Sequence, residues 1–353
     1  MPIEQRFGES SPLSIGVEEE VMLLDAETLA PVGAIRELLA ATAGLDLPGT
    51  LKTELHASVV ELTTDVCETP AQAVEALREL RGRTAEALEG LGLRMAAAGS
   101  HPFAEPEDLP ITDDKRYEEM VGYHGITARR QGVNGLHVHV GMPSAEACMR
   151  TVETILPWLP LVLALSANSP YLAGRVTGLA SNRAEVLAQL PRSGAPPAFD
   201  SYAAWERWIE RLVDTGLMRE YTQVWWDVRP HPKFGTLEVR MPDQPTDLAR
   251  TGAFIELLRN LCEWALSDPA AAPADRGVYQ QTRWAAARFG PDAELVHAGR
   301  LVRARDLHAE LPFPSPLDAS VSEADLQLDQ PDSAAATSDI VARTWPSSRT
   351  RST

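Results

Sequence analysis

The sequence predicts a layered α+β fold, with helices covering one face of a sheet. Two observations predict it: several short stretches alternate apolar and polar residues with period two, and several longer ones repeat apolar residues every three or four positions. The two kinds are interleaved along 353 residues without an internal repeat.

Residues 13–25 alternate cleanly. Ile15, Val17, Val21 and Leu23 fall on one strand face, and Ser14, Gly16, Glu18 and Glu20 on the other. Residues 58–64 are a second β-rich run, carrying Glu61. A helix then begins at Thr69 as N-cap, with Pro70 at its first position and Gln72 completing a capping box. Val74, Leu77, Leu80, Thr84, Leu88 and Leu91 form its apolar stripe. A short strand is expected over 94–99 and another over 135–141, where His137 and His139 share one face. Helices are expected at about 144–168, 200–215 and 246–267. Between the last two, residues 224–229 and 235–241 read as strands. Trp225, Asp227 and Arg229 share a face of the first; Thr236, Glu238 and Arg240 share a face of the second. From about 311 Pro, Ser, Ala and Asp dominate without a period, and residues 311–353 are expected to form a disordered or atypical tail behind a catalytic domain spanning 1–310.

Composition narrows the function. A hydrophobic content of 44% supports a sizeable core. Acidic residues outnumber basic ones 50 to 32, a net charge of −18. That balance repels nucleic acid and anionic membranes, although metal ions reverse the local sign in an acidic pocket. Cys67, Cys148 and Cys262 lie far apart, which disfavours a disulfide framework or a zinc site. The opening MPIEQRFGES lacks a basic n-region and an apolar h-region, so no signal peptide is expected, and the sparse cysteines fit a reducing cytoplasm. The longest apolar run, about 158–167, is too short to span a bilayer and reads as a buried helix.

The chemistry lies in a recurrence. Glu18 and Glu20, Glu61, His137 with His139, and Glu238 with Arg240 come from separate alternating strands. If these strands share a sheet, their polar faces converge on one basin. Crowded carboxylates call for hard cations such as magnesium or manganese, which also bridge phosphates. Arg229 and Arg240 would grip phosphate oxygens with forked guanidinium contacts. This is equipment for phosphoryl transfer. No G-x-S-x-G, Walker A or GxGxxG sequence occurs, which disfavours serine hydrolases and P-loop or Rossmann nucleotide sites.

The motifs GVEEE (16–20), ELTTDVCETP (61–70), AAAGSHPF (96–103), GLHVHVG (135–141), LALSANSPYLAGRVTGLASNR (163–183), LPRSGAPP (190–197) and WWDVRPHPKFGTLEVRMPD (225–243) follow in order. The set resembles the carboxylate-amine ligase family, the type 2 glutamate–cysteine ligases, over roughly 12–310. The resemblance implies a glutamine-synthetase-like fold, with a curved, mostly antiparallel sheet whose open face binds ATP and magnesium, with manganese as the alternative. It implies ligation in two steps, through an acyl phosphate of a carboxylate substrate, nominally L-glutamate, attacked by an amine, nominally L-cysteine. A homodimer is the family's implied assembly.

By motif, Glu18, Glu20, Glu54, Glu61, His137 and Glu238 would hold the metal ions. Arg240 would contact the transferred phosphate, with Glu61 the second catalytic group. Arg183 and Arg229 would bind nucleotide phosphate or the substrate carboxylate. The chain departs from the family pattern at Thr282, where asparagine is expected, and beyond about 310. Two other functions compete: a phosphotransferase of the guanidino-kinase type, and a non-catalytic nucleotide- or metal-binding protein.

Overall fold

A computed structural model describes residues 3–270 and 272–349. Seven strands form its main sheet: β1 (Ile15–Asp25), β2 (Gly49–Thr53), β3 (Val59–Thr64), β4 (Leu93–Ala96), β5 (Leu136–Gly141), β6 (Val228–His231) and β7 (Thr236–Val239). They lie in the order β6-β7-β5-β1-β3-β2, and β4 pairs with the end of β1 beyond β5. Every pairing in this sheet is antiparallel.

The period-two pattern sorts the two faces. Ile15, Val17, Val21 and Leu23 join Val60, Leu62, Leu136, Val138, Val140, Leu237 and Val239 in the main core. Helices α1 (Pro70–Gly90), α2 (Ala145–Ile155), α3 (Leu159–Ser166) and α4 (Leu248–Ser267) cover them. Burying one such Leu or Ile contributes about 1.5–3 kcal/mol. The Thr69–Gln72 capping box starts α1 as expected. The expected helix over 144–168 is interrupted by a single 3₁₀ turn, Leu156–Trp158, with prolines at 157 and 160. The segment Ala145–Ser166 is long and apolar enough to cross a membrane, but 83% of its most apolar window is buried in the core.

One charged residue sits on the apolar face. Glu19 is fully buried and takes a two-pronged ion pair from Arg81 of α1, at 2.6 and 2.7 Å. Thr251 Oγ1 and Gln244 Nε2 donate to the same carboxylate. So complete a set of partners makes the buried charges tolerable and ties α1 and α4 to β1.

The opposite face is divided. Near Glu18 and Glu20 it opens into a cavity. Further along, Met22, Leu24, Val59, Ala96 and Ala98 form a second apolar patch, covered by Ile340. Ile340 belongs to α6 (Ser333–Arg349), which follows α5 (Glu323–Leu328). The expectation of a disordered tail is therefore corrected for the described residues; positions 350–353 lie outside them. The tail's short side chains do carry a helical period: Ala336, Ile340 and Thr344 are buried at four-residue spacing. Ser322 and Asp325 form a capping box on α5. The Glu323 carboxylate accepts from the Thr246 and Asp247 amides and from Arg343 Nη1. The apolar patch that orders α6 lies at the other end of the described chain, so tail composition alone could not reveal it.

Candidate active site

Strand register assembles the polar side chains into a band across the sheet. Lys52 of β2 is opposite Glu61 of β3, and Glu61 is opposite Glu20 of β1. Glu18 is opposite His137 of β5; His139 is opposite Glu238 of β7, and Glu238 is opposite Arg229 of β6. Cross-strand partners stand about 5 Å apart at Cβ. Six strands thus place their charged residues side by side.

At one end of the band, Glu18, His139 and Glu238 each offer a ligand atom within 4.8 Å of the others. His139 Nδ1 is 3.0 Å from Thr236 Oγ1, which fixes the ring. Its buried Nε2 lies 3.5 Å from Glu18 Oε1 and has no hydrogen-bond partner. Two carboxylates and an imidazole so arranged fit a hard divalent cation. Glu238 carries the arginines: Arg229 bonds it at 2.6 and 3.1 Å, and Arg240 at 2.6 Å. Burial opposes the Glu238 charge, but Arg229 and Arg240 hold its carboxyl well below the usual range. Burial likewise opposes ionisation of Glu18, and the neighbouring His137 and His139 rings still hold it well below the usual range.

His137 lies at the centre, with Nδ1 3.1 Å from Glu18 Oε2 and 3.3 Å from Arg240 Nη1, and Nε2 3.8 Å from Glu20. Burial, reinforced by Arg240, lowers its pKa to about 4, so the ring is neutral and able to ligate.

The other end gathers Glu20, Glu54 and Glu61. Burial, then the charges of Glu20 and Glu61, push the Glu54 carboxyl well up. Burial also raises Glu20, which accepts from the Gly135 amide. Glu61 accepts from Lys52 Nζ at 2.9 Å and Thr63 Oγ1 at 2.8 Å. Three crowded carboxylates whose charges burial and mutual repulsion oppose are suited to sharing a cation.

The cavity over this band measures about 1180 Å³ and is lined by Glu18, Glu20, Glu54, Glu61, His137, Arg183, Arg229 and Arg240, among others. Every one of the sequence-derived site residues is therefore in its wall, except Glu238, which sits directly behind Arg229 and Arg240. The lining holds as many basic as acidic side chains, although the chain as a whole is strongly acidic.

Three features differ from the sequence reading. His139 joins the ligand cluster with Glu18 and Glu238, where His137 alone was expected; the shared face of the two histidines was the available signal. Trp225, Asp227 and Arg229 do not share a face. The strand breaks at Asp227, whose carboxylate turns to Tyr279 Oη (2.8 Å) and Arg283 Nε (2.9 Å), while Trp225 and Arg229 line the cavity. Asp243 was not singled out. It accepts from Ser169 Oγ and Ser181 Oγ, both at 2.7 Å, and lies 3.9 Å from Arg183. Arg183 in turn lies across Gly135, where an added Cβ would come within 2.1 Å of its Nη2 and displace the guanidinium.

The chain matches the family model described as glutamate-cysteine ligase family 2 over residues 14–343, past the limit of 310 expected from the motifs. It is 44% identical over 312 residues to a protein of Rubrobacter xylanophilus provisionally named glutamate–cysteine ligase 2-3, covering 88% of this chain and 85% of that one. A protein of Herpetosiphon aurantiacus, provisionally named glutamate–cysteine ligase 2, is 37% identical over 306 residues, covering 85% and 79%. Among solved structures, the glutamate–cysteine ligase of Francisella tularensis in complex with AMP superposes with a TM-score of 0.69, over 99% of this chain and 91% of that one. At 14% identity this likeness speaks for the fold.

Proposed function

Because the chain belongs to glutamate-cysteine ligase family 2, we propose that it uses ATP to join the γ-carboxylate of glutamate to an amine. The observation that carries this reading is the band itself: carboxylates and imidazoles flanked at both ends by cations, most of them in the wall of one cavity. Glu18, His139 and Glu238, with His137 beside them, are suited to hold one magnesium ion, and Glu20, Glu54 and Glu61 another; manganese has the same ligand preference. Bound there, the metal supplies charge neutralisation to phosphate oxygens.

Arg240 and Arg229 address the phosphoryl group being transferred, and Arg183 holds the carboxylate substrate. A carboxylate oxygen of the substrate attacks the terminal phosphorus, and ADP leaves. The amine nitrogen then attacks the carbonyl carbon of the acyl phosphate, loses a proton, and phosphate departs with its bonding electrons. Charge preorganised along the band lowers both barriers.

Purified protein incubated with glutamate, ATP, magnesium and a panel of amines including cysteine is expected to release ADP and phosphate and to yield an amide. A stable phosphorylated substrate without amide would identify a phosphotransferase instead. Nucleotide binding by calorimetry without turnover on any amine would leave a binding protein.

A further inference from the structure

Lys52 is the one charged member of the band to which no role has been given. The chain is built with arginine: among its 32 Lys and Arg residues, only positions 52, 115 and 233 are lysine. Lys52 is the only one of the three that lines the cavity, and it does so from the edge strand β2.

The two cationic ends of the band differ in how they are held. Arg229 is 7% exposed, and beyond Glu238 it donates to the carbonyl oxygens of Thr222 and Val224 at 2.7 Å each. That guanidinium is fixed. The Lys52 side chain is 46% exposed, and among the described residues its ammonium donates one hydrogen bond, to Glu61. Burial disfavours its charge, but Glu61, and then Glu18 and Glu54, keep it protonated. An ammonium on a four-carbon stem is a compact cation with rotatable donors, whereas guanidinium is a rigid fork.

The geometry points to Lys52 as a movable cation. It neutralises Glu61 until a divalent ion binds the Glu20–Glu54–Glu61 cluster, and it then swings to a phosphate oxygen of the nucleotide. This rests on the ligase reading for the nucleotide, but not on turnover. A metal ion claiming Glu61 displaces the ammonium by charge repulsion. The freed ammonium would stay at the cavity wall, free to meet phosphate oxygens that a cation on this cluster would attract.

The test compares the wild type with Lys52→Met and Lys52→Arg, all full chain. A half-exposed ion pair contributes little to folding, so both variants should keep the wild-type melting temperature. Calorimetry reads manganese alone, then a non-hydrolysable ATP analogue in saturating manganese. In Lys52→Met, manganese is expected to bind as tightly as in the wild type or tighter, because a competing cation is gone. The analogue is expected to bind on the order of tenfold more weakly, the effect of one lost charge-assisted contact, with partial recovery in Lys52→Arg. Where turnover is measurable, KM for ATP rises and KM for glutamate does not. Weaker manganese binding, unchanged analogue binding, or a rise confined to KM for glutamate would each overturn the assignment. A wild-type protein that binds manganese but no nucleotide would sink the ligase reading along with it.

Discussion

The sheet face that bears the cavity has two halves, and β1 runs through both. At Glu18 and Glu20 the strand presents carboxylates to an open cavity; at Met22 and Leu24, the next two positions on the same face, it presents apolar groups that α6 covers. The backbone is alike in both halves. The neighbours differ: Glu18 faces His137 and Glu20 faces Glu61, whereas Met22 faces Val59 on one side and Ala96 on the other. Alternation decides which face a residue joins. The register of the partner strands decides whether that face becomes a site or a second core.

The contrast should break most severely at Glu238. Glu238→Gln is expected to lower ligation turnover by on the order of 10²–10³-fold, as loss of a preorganised charge contact does. Carboxylate crowding taken alone suggests that such a change would relieve repulsion. Two arginines already neutralise Glu238, and the substitution leaves Arg229 buried without its counter-charge. Unfolding free energy in urea should therefore fall by about 3–5 kcal/mol. Wild-type turnover and stability in this variant would reduce the open half to ordinary polar surface.

The covered half should respond in stability alone. Ile340→Ala removes the fully buried side chain that α6 sets against Met22 and Leu24. A loss of about 2–5 kcal/mol is expected, with kcat of the folded protein unchanged. A fall in kcat at constant stability would show that the two halves are not separate.

The smallest effect is acidic. His137 on the open half and His101 beside the covered half, where its Nε2 lies 2.9 Å from Leu29 O, are both lowered to about 4 by burial. Unfolded histidine titrates near about 6.5, so below that pH the unfolded chain binds more protons than the folded one. The stability these rings contribute is complete above about 6.5 and is lost as pH falls through about 4. Urea titrations of the metal-free protein should trace this decline, and His101→Gln should flatten it. An unchanged acid limb in that variant would assign the decline elsewhere.

Most of the open half was legible in the sequence because it is written in local alternation. Glu18, Glu20, Glu61, His137, Glu238, Arg229 and Arg240 each come from a stretch read as an alternating strand, and the family resemblance brought in Glu54 and Arg183. Partnership was not legible. Nothing near Glu19 announces Arg81, and nothing near Asp227 announces Tyr279 and Arg283, because each pair is joined only by the folded path of the chain. The same blindness hid α6. Its alanine- and serine-rich helix has too little apolar surface to signal a core by itself, and the surface it completes belongs to β1, β3 and β4.

That placement has a consequence for how the molecule is born. β1 is the first of the described strands in chain order, and α6 is the last of the described helices. Until α6 arrives, Met22, Leu24 and Val59 form an uncovered greasy strip beside a charged basin. The closing contact spans nearly the whole described chain, a slow event that leaves the nascent protein open to misassociation. Closing this strip therefore depends on the two ends of the described chain meeting.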